Sequence, residues 1–389
     1  MFWTALTILD IILFVLSALT VLYIIFFAIM SCFYQPVDTG ITKRYGRFLF
    51  ITTATSRDQY IEETIQAVLQ QKYDKRNFEM IVVGDNLTPL QKIKLAQYPI
   101  TLLCTNMEGG SKGRAQQFAI NNMRSMKIFD SVILLDPDEI IMPDFLTEMN
   151  KMVQSGQQFF QLHRKPLTTN NDASILSATM EEINNSIFRK GHVVLGMPSA
   201  LIGSAVCLNY TWFKNNIADI AVNDEEKKLE TLLIKQKIFI DYTDHICVYF
   251  HPLSSSRDIV QQRKRWMETS MGTLFNNLKQ LLPSIIHWDI DMTDKLITWL
   301  LIPRIILMGI ILTMSAVLPF IYFTMALKWW TLFFIVTFAF ALATPDYLVQ
   351  DDSWSKSLKH APRIILGSLF NIVTNNIFAR KVKKAIKKQ

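Results

Sequence analysis

With 389 residues the chain has room for one large domain or two ordinary ones; half of it is apolar and 12% aromatic. Its formal charge of +7 comes from 40 Lys and Arg against 33 Asp and Glu, unevenly placed. Long uncharged blocks exclude a wholly soluble protein, and a basic tail at 380–388 beside such blocks suits anionic lipid headgroups rather than nucleic acid.

Residues 11–30 carry no charge, enough to cross a hydrocarbon core of about 30 Å. The missing basic n-region and A-x-A site favour an uncleaved anchor over a signal peptide. Lys43, Arg44 and Arg47 follow it. The positive-inside rule therefore puts the N-terminus outside and the large middle region in the cytoplasm.

That region opens with a strand at 48–53 and a helix at 61–69, whose apolar positions 61, 65, 68 and 69 share a face. Strands at 78–84 and 100–104 follow, then a helix at 112–126 and a strand at 131–135. Such alternation predicts an α/β fold with a doubly wound, mainly parallel sheet, whose ligands sit at the carboxyl ends of the strands. The middle is less regular: strands are expected at 157–164, 238–242 and 246–250, and helices at 173–189 and 225–234. Uncharged stretches at 305–327 and 329–345 complete three predicted transmembrane helices. An amphipathic basic helix at 362–386 is expected to lie on the inner leaflet. The organisation expected is an N-terminal anchor (1–34), a cytoplasmic domain (35–295), two spans (296–348) and a basic amphipathic segment (349–389). Cys32, Cys104, Cys207 and Cys247 form no CxxC pair and no metal spacing; they are expected to be reduced and mostly buried.

Chemistry concentrates first at Asp136-Pro137-Asp138, directly after the apolar run 132–135. In extended chain, residues i and i+2 project to one side, so both carboxylates can face one point past a strand's end. A divalent metal site and a plain acidic turn are both open readings. Three further stations fall in order: Asp85 at the end of a strand, Asp224-Glu225-Glu226 at a helix start, and Gln262-Arg263-Lys264-Arg265-Trp266 before the later spans. Each alone has a dull explanation; acids in a first helical turn, for instance, suit the macrodipole without any chemistry.

The ordered set resembles the membrane-bound family 2 glycosyltransferases, the group of cellulose, hyaluronan and many capsule polysaccharide synthases. The resemblance covers residues 47 to 270 and the flanking spans, and Gln262-Arg263-x-Arg265-Trp266 matches the Q-(Q/R)-x-R-W motif at every position. Lys112-Gly113-Arg114-Ala115, Gln161-x-His163-Arg164 and the loop Ala200-Leu201-Ile202-Gly203-Ser204 support it. The resemblance implies a GT-A-like fold and an inverting transfer from a UDP-sugar donor to a growing glycan, or to a lipid-linked acceptor. It implies Mg²⁺ or Mn²⁺ held by Asp138 with help from Asp136. Asp85, Lys112 and Asp136 then serve the nucleotide side, Gly203 and Ser204 the acceptor loop. Gln262, Arg263, Arg265 and Trp266 meet the diphosphate and the acceptor ring.

Two departures stand out. The family's base is usually an Asp three residues before a Leu; counting back from Leu229 gives Glu226, with Glu225 before it and Asp224 the nearest Asp. Residues 52–57 replace the usual P-x-x-N-E turn. These departures motivate a rival reading as a non-catalytic membrane-docked relative. A transporter is disfavoured, since the 305–327 stretch lacks the charges that coupling requires.

Overall fold

The computed structural model describes residues 2–40, 44–107, 111–123, 127–169, 171–221, 225–253, 255–349 and 354. The chain divides into two compact units. One comprises Tyr34–Leu167 and Phe188–His251; the other comprises Met1–Phe33, Thr168–Ile187 and Pro252–Gln389.

The first unit is built on an eight-stranded sheet: β1 (Phe48–Thr55), β2 (Phe78–Asp85), β3 (Thr101–Thr105), β4 (Ser131–Leu135), β5 (Glu139–Ile141), β6 (Phe160–Pro166), β7 (Val206–Asn209) and β8 (Asp241–Phe250). Their order is β3-β2-β1-β4-β7-β6-β8-β5. The expected parallel half is present as β3-β2-β1-β4, and β6 also runs parallel to β8. β7 and β5 enter antiparallel, which makes the sheet mixed.

Alternation along the buried strands explains why both faces are covered. Phe48, Phe50, Val82, Ile133 and Leu135 pack with Ile61, Ile65 and Val68 of helix Ile61–Leu69 and with Leu146, Met149 and Met152 of helix Phe145–Gln154. Their neighbours Leu49, Ile51, Ile81, Val83, Val132 and Leu134 face the other way. There they meet Ala115 and Ala119 of helix Lys112–Asn122, Phe213 and Ile217 of helix Tyr210–Ile220, and Leu229 and Leu233 of helix Glu225–Lys235.

Several expectations are corrected. The separate strands expected at 238–242 and 246–250 are one strand, β8, bulged where its pairing with β6 jumps from Leu162↔Thr243 to His163↔Cys247. The bulge breaks the period-2 pattern and makes one strand look like two. β5, β7 and helix Tyr210–Ile220 were not anticipated. The helix expected at 173–189 ends at Asn185 and passes into a π-helical turn, Ser186–Lys190. Of the cysteines, all free, Cys207 is buried, but Cys104 and Cys32 are exposed. Cys104 lies on β3, an edge strand, and Cys32 just beyond the end of a helix.

The second unit is helical. Thr7–Ser31 and Phe323–Ala343 are each long and apolar enough to cross a membrane; Ile290–Leu300 with Arg304–Phe320, bent by 52°, makes a third if the pair is one span. The uncharged stretch 305–327 is not one helix. Helix Arg304–Val317 gives way to a 3₁₀ turn, Leu318–Phe320, around Pro319, and the next helix starts at Phe323. Lys328 consequently sits inside the helix Phe323–Ala343, where it forms an ion pair with buried Asp10. Asp10 also accepts a hydrogen bond from Trp329 Nε1 at 2.9 Å. The amphipathic helix expected at 362–386 lies outside the described residues.

Candidate active site

β1, β2 and β3 end level with one another, since Thr55 pairs with Asp85 and Asp85 with Thr105. β4 stops short, its last residue Leu135 pairing with Thr52. The chain proceeds from β1 to β2 and β3 on one side and returns to β4 on the other. β1 and β4 therefore flank a topological switch point, where such sheets bind ligands. Asp136 follows β4 directly into that notch.

Asp85 sits at the rim beside it, its Oδ1 accepting the Met107 N–H at 2.7 Å. The altered turn after β1 is closed by Asp58, whose carboxylate accepts the Thr55 N–H at 2.6 Å and the Thr55 hydroxyl at 2.9 Å.

The acidic stretch after β4 is a turn rather than extended chain: Glu139 N–H donates to the Asp136 carbonyl at 3.2 Å. Thr64 Oγ1 donates to the Pro137 carbonyl at 3.0 Å and pins the turn to helix Ile61–Leu69. The premise that Asp136 and Asp138 share one side of a strand is therefore corrected. The ladder stops at Leu135, and Pro137, with no N–H, cannot continue it.

Lys112, the first residue of its helix, forms an ion pair with Asp136. Burial would lower the lysine's pKa, but Asp136, joined by Glu139 and Glu225, outweighs it and the net direction is up. Burial likewise pushes Asp136 up, yet Lys112, Arg164 and the Ser204 hydroxyl bring it below the usual range. Asp138 moves the opposite way, raised by burial and by the charge of Asp136. Glu139, fully buried, is raised to about 7, by burial first and by Asp136 and Asp138 next, against Arg164. The turn therefore gathers three carboxyls, Asp136, Asp138 and Glu139, beside two cations, Lys112 and Arg164. That donor set fits Mg²⁺ or Mn²⁺, hard ions that take one or two carboxylates together with substrate phosphates. Among the described residues no group of three His, Cys, Asp or Glu is spaced to hold a metal unaided.

The loop before β7 approaches the same turn. Ser204 Oγ donates to Glu139 Oε1 at 2.8 Å, and Gln161 Nε2 donates to the carbonyls of Ser204 and Ala205 at 3.0 and 2.9 Å. Gly203 has φ +74°, a conformation side chains rarely adopt. Glu226, in the first turn of helix Glu225–Lys235, lies against it; burial raises its carboxyl to about 7, opposed by Lys227 and Lys112. Glu225 packs on Gly113 at the start of the Lys112 helix, where a Cβ would stand 2.8 Å from the glutamate's own.

Lys112, Asp136, Gly203, Ser204, Glu225 and Glu226 are thus linked through direct contacts in one unit, and Asp138 lies in the same turn as Asp136. Asp85, the last residue of β2, lies at the rim beside that turn. Asp224 lies outside the described residues. Gln262, Arg263, Arg265 and Trp266 lie within helix Ser256–Asn277 of the other unit, and the side chains of Arg263, Arg265 and Trp266 are outside what is described. Glu139 was not marked, because β5, which it opens, is too short to show a period in the sequence. Its position next to Asp138 was the one available signal.

A mixed sheet with a carboxylate turn at the switch point defines the class, a GT-A-like glycosyltransferase fold. Residues 46–269 match Glycosyltransferase like family 2, and the chain belongs to that family. No curated protein sequence matches it significantly. Among solved structures it is similar to the mannosyltransferase PcManGT from Pyrobaculum calidifontis, in complex with GDP-Man and Mn²⁺ (11% identity, 88% of this chain, 99% of that one, TM-score 0.52). It is also similar to S. aureus TarS, at 14% identity, 58% of this chain, 39% of that one and TM-score 0.38. A third likeness is glucosyl-3-phosphoglycerate synthase from Mycobacterium tuberculosis in complex with Mn²⁺, UDP and phosphoglyceric acid, at 14% identity, 55% of this chain, 73% of that one and TM-score 0.37. The chain therefore spans about two fifths of the TarS chain. Of the three, the mannosyltransferase alone scores above one half, and it shows the fold alone.

Proposed function

We propose that the chain moves a sugar from a UDP-sugar to a growing cell-envelope glycan or a lipid-linked acceptor, inverting the anomeric centre in a single displacement. It does so as a multi-pass inner-membrane protein with its sheet unit in the cytoplasm, along the membrane synthase line of the family. The observation that carries this is the contact of Glu226 with Gly203, whose neighbour Ser204 is bonded through Glu139 to the turn of Asp136 and Asp138. A candidate base and a candidate donor turn thereby belong to one connected structure.

In this reading Asp85 receives the N–H of the base, and Lys112 stands beside the diphosphate. Asp138, with Asp136, would hold Mg²⁺ or Mn²⁺. The ion, when bound, supplies positive charge to the departing diphosphate. Arg263 and Arg265 would add guanidinium charge there, and Gln262 and Trp266 would receive the acceptor. Glu226, raised to about 7, is poised to take the proton of the acceptor hydroxyl near neutral pH. Glu225 stays a supporting acid against Gly113. The mannosyltransferase's complex with GDP-Man and Mn²⁺ is in keeping with a nucleotide-sugar donor and a divalent ion.

Purified protein incubated with a panel of UDP-sugars and Mn²⁺ or Mg²⁺ tests this, with UDP release as the readout. Release from at least one donor is expected. Release from none, with or without membranes as an acceptor source, would favour the non-catalytic relative.

A further inference from the structure

Glu139 is fully buried, yet its carboxylate draws partners from three separate segments. Oε2 accepts the N–H of Asp136, in the carboxylate turn, at 2.9 Å. Oε1 accepts the hydroxyl of Ser204, in the loop before β7, at 2.8 Å and forms an ion pair at 2.8 Å with Nε of Arg164 on β6. A buried carboxylate is costly unless it is paired and hydrogen-bonded, and an apolar residue would keep β5 in register with β8 equally well. Ile141, two residues on, does so from the core. The register of β5 alone therefore does not require an acid at this position.

We propose that Glu139 is a positioning residue that ties the turn receiving the donor to the loop on which Glu226 rests. This rests on the sugar-transfer reading above. The loop has a second support: Gln161 accepts the Ile202 N–H at 3.2 Å and donates to two loop carbonyls. Removing the Ser204 hydroxyl thus leaves the loop folded on β6 but without its side-chain tie to the turn. A mismatch of about 1 Å between donor and base costs on the order of 10²-fold in transfer.

The test uses full-length protein in detergent and in isolated membranes, with Ser204→Ala and Glu139→Gln. Ser204→Ala removes the hydroxyl that bonds Glu139 and also acts on the Asp136 carboxyl, and leaves Glu139 its hydrogen bond from the Asp136 N–H and its ion pair with Arg164. UDP affinity in Mn²⁺, by calorimetry, should stay within about threefold of wild type, while incorporation of labelled sugar into membranes drops by about 30-fold or more. Release of UDP to water should persist, so the release-to-transfer ratio rises. Glu139→Gln should raise that ratio as well.

The link is also read without turnover. UDP with Mn²⁺ should slow amide exchange at both 136–139 and 200–205 in wild type, but only at 136–139 in Ser204→Ala. Wild-type exchange at 200–205 that ignores UDP overturns the link, as does a wild-type release-to-transfer ratio in both variants. Coupled exchange in a protein that releases UDP from no donor supports the link and overturns the sugar-transfer reading instead.

Discussion

A Cβ on Gly203 would stand 2.9 Å from the Cβ of Glu226 and 3.1 Å from its Oε2. Glycine at 203 is thus what lets the helix bearing Glu226 come to rest on the loop, and the positive φ reinforces the requirement. Gly203→Ala should displace Glu226 and lower transfer by about 10²-fold while leaving UDP affinity near wild type. Steady-state kinetics beside UDP calorimetry checks the split; unchanged transfer would separate the glycine from the base.

The elevated carboxyl of Glu226 gives two signs to check. As a base it works deprotonated, so transfer should rise as pH climbs through about 7. Folding moves the other way. Between the ordinary glutamate value of 4.5 and about 7 the folded state binds the proton and the unfolded state does not, so this group's contribution to stability falls as pH rises through that window. Glu226→Gln should therefore abolish transfer yet melt above wild type at pH 8, with the difference vanishing near pH 4.

Asp138 and Lys112 should separate by metal dependence. Mn²⁺ should tighten UDP binding to wild type by about tenfold or more, and Asp138→Asn should lose most of that gain. Lys112→Met should weaken UDP binding with or without the ion, because it removes a cation rather than a ligand. Calorimetry in Mn²⁺ and in EDTA distinguishes the two; a full metal gain in Asp138→Asn would remove the residue from the ion's shell.

Much of the parallel half of the sheet was legible because apolar β-branched runs alternated with helical spacing, as at 48–53 and 61–69. The strand-end positions of Asp85 and Asp136 were legible for a related reason: each closes an apolar run. What escaped depended on distance. β5 is three residues long, too short to show a period, so nothing set Glu139 apart from the acidic turn before it. Gly203 and Glu226 were each marked, but nothing local says that one rests on the other. Pro319 sat in plain view inside 305–327, yet uniform hydropathy hid the break it makes.

The ion pair of Asp10 with Lys328 joins the first helix to the last long one inside the apolar unit. Lys328→Glu would leave two acids together in a buried place, a cost of about 3–5 kcal/mol for a broken buried pair. Yield and melting temperature in detergent should fall, and Asp10→Lys in the same chain should restore them. Failure of the swap to rescue would assign the loss to packing around Trp329 rather than to charge.

The central claim is an inverting transfer with Glu226 as base. Its most direct test is proton NMR of the first sugar product formed from the UDP-α-sugar that gives release. The β-anomer should appear first with wild type, and no product should form with Glu226→Gln. An α-anomer as first product, or undiminished transfer by Glu226→Gln, would contradict the account.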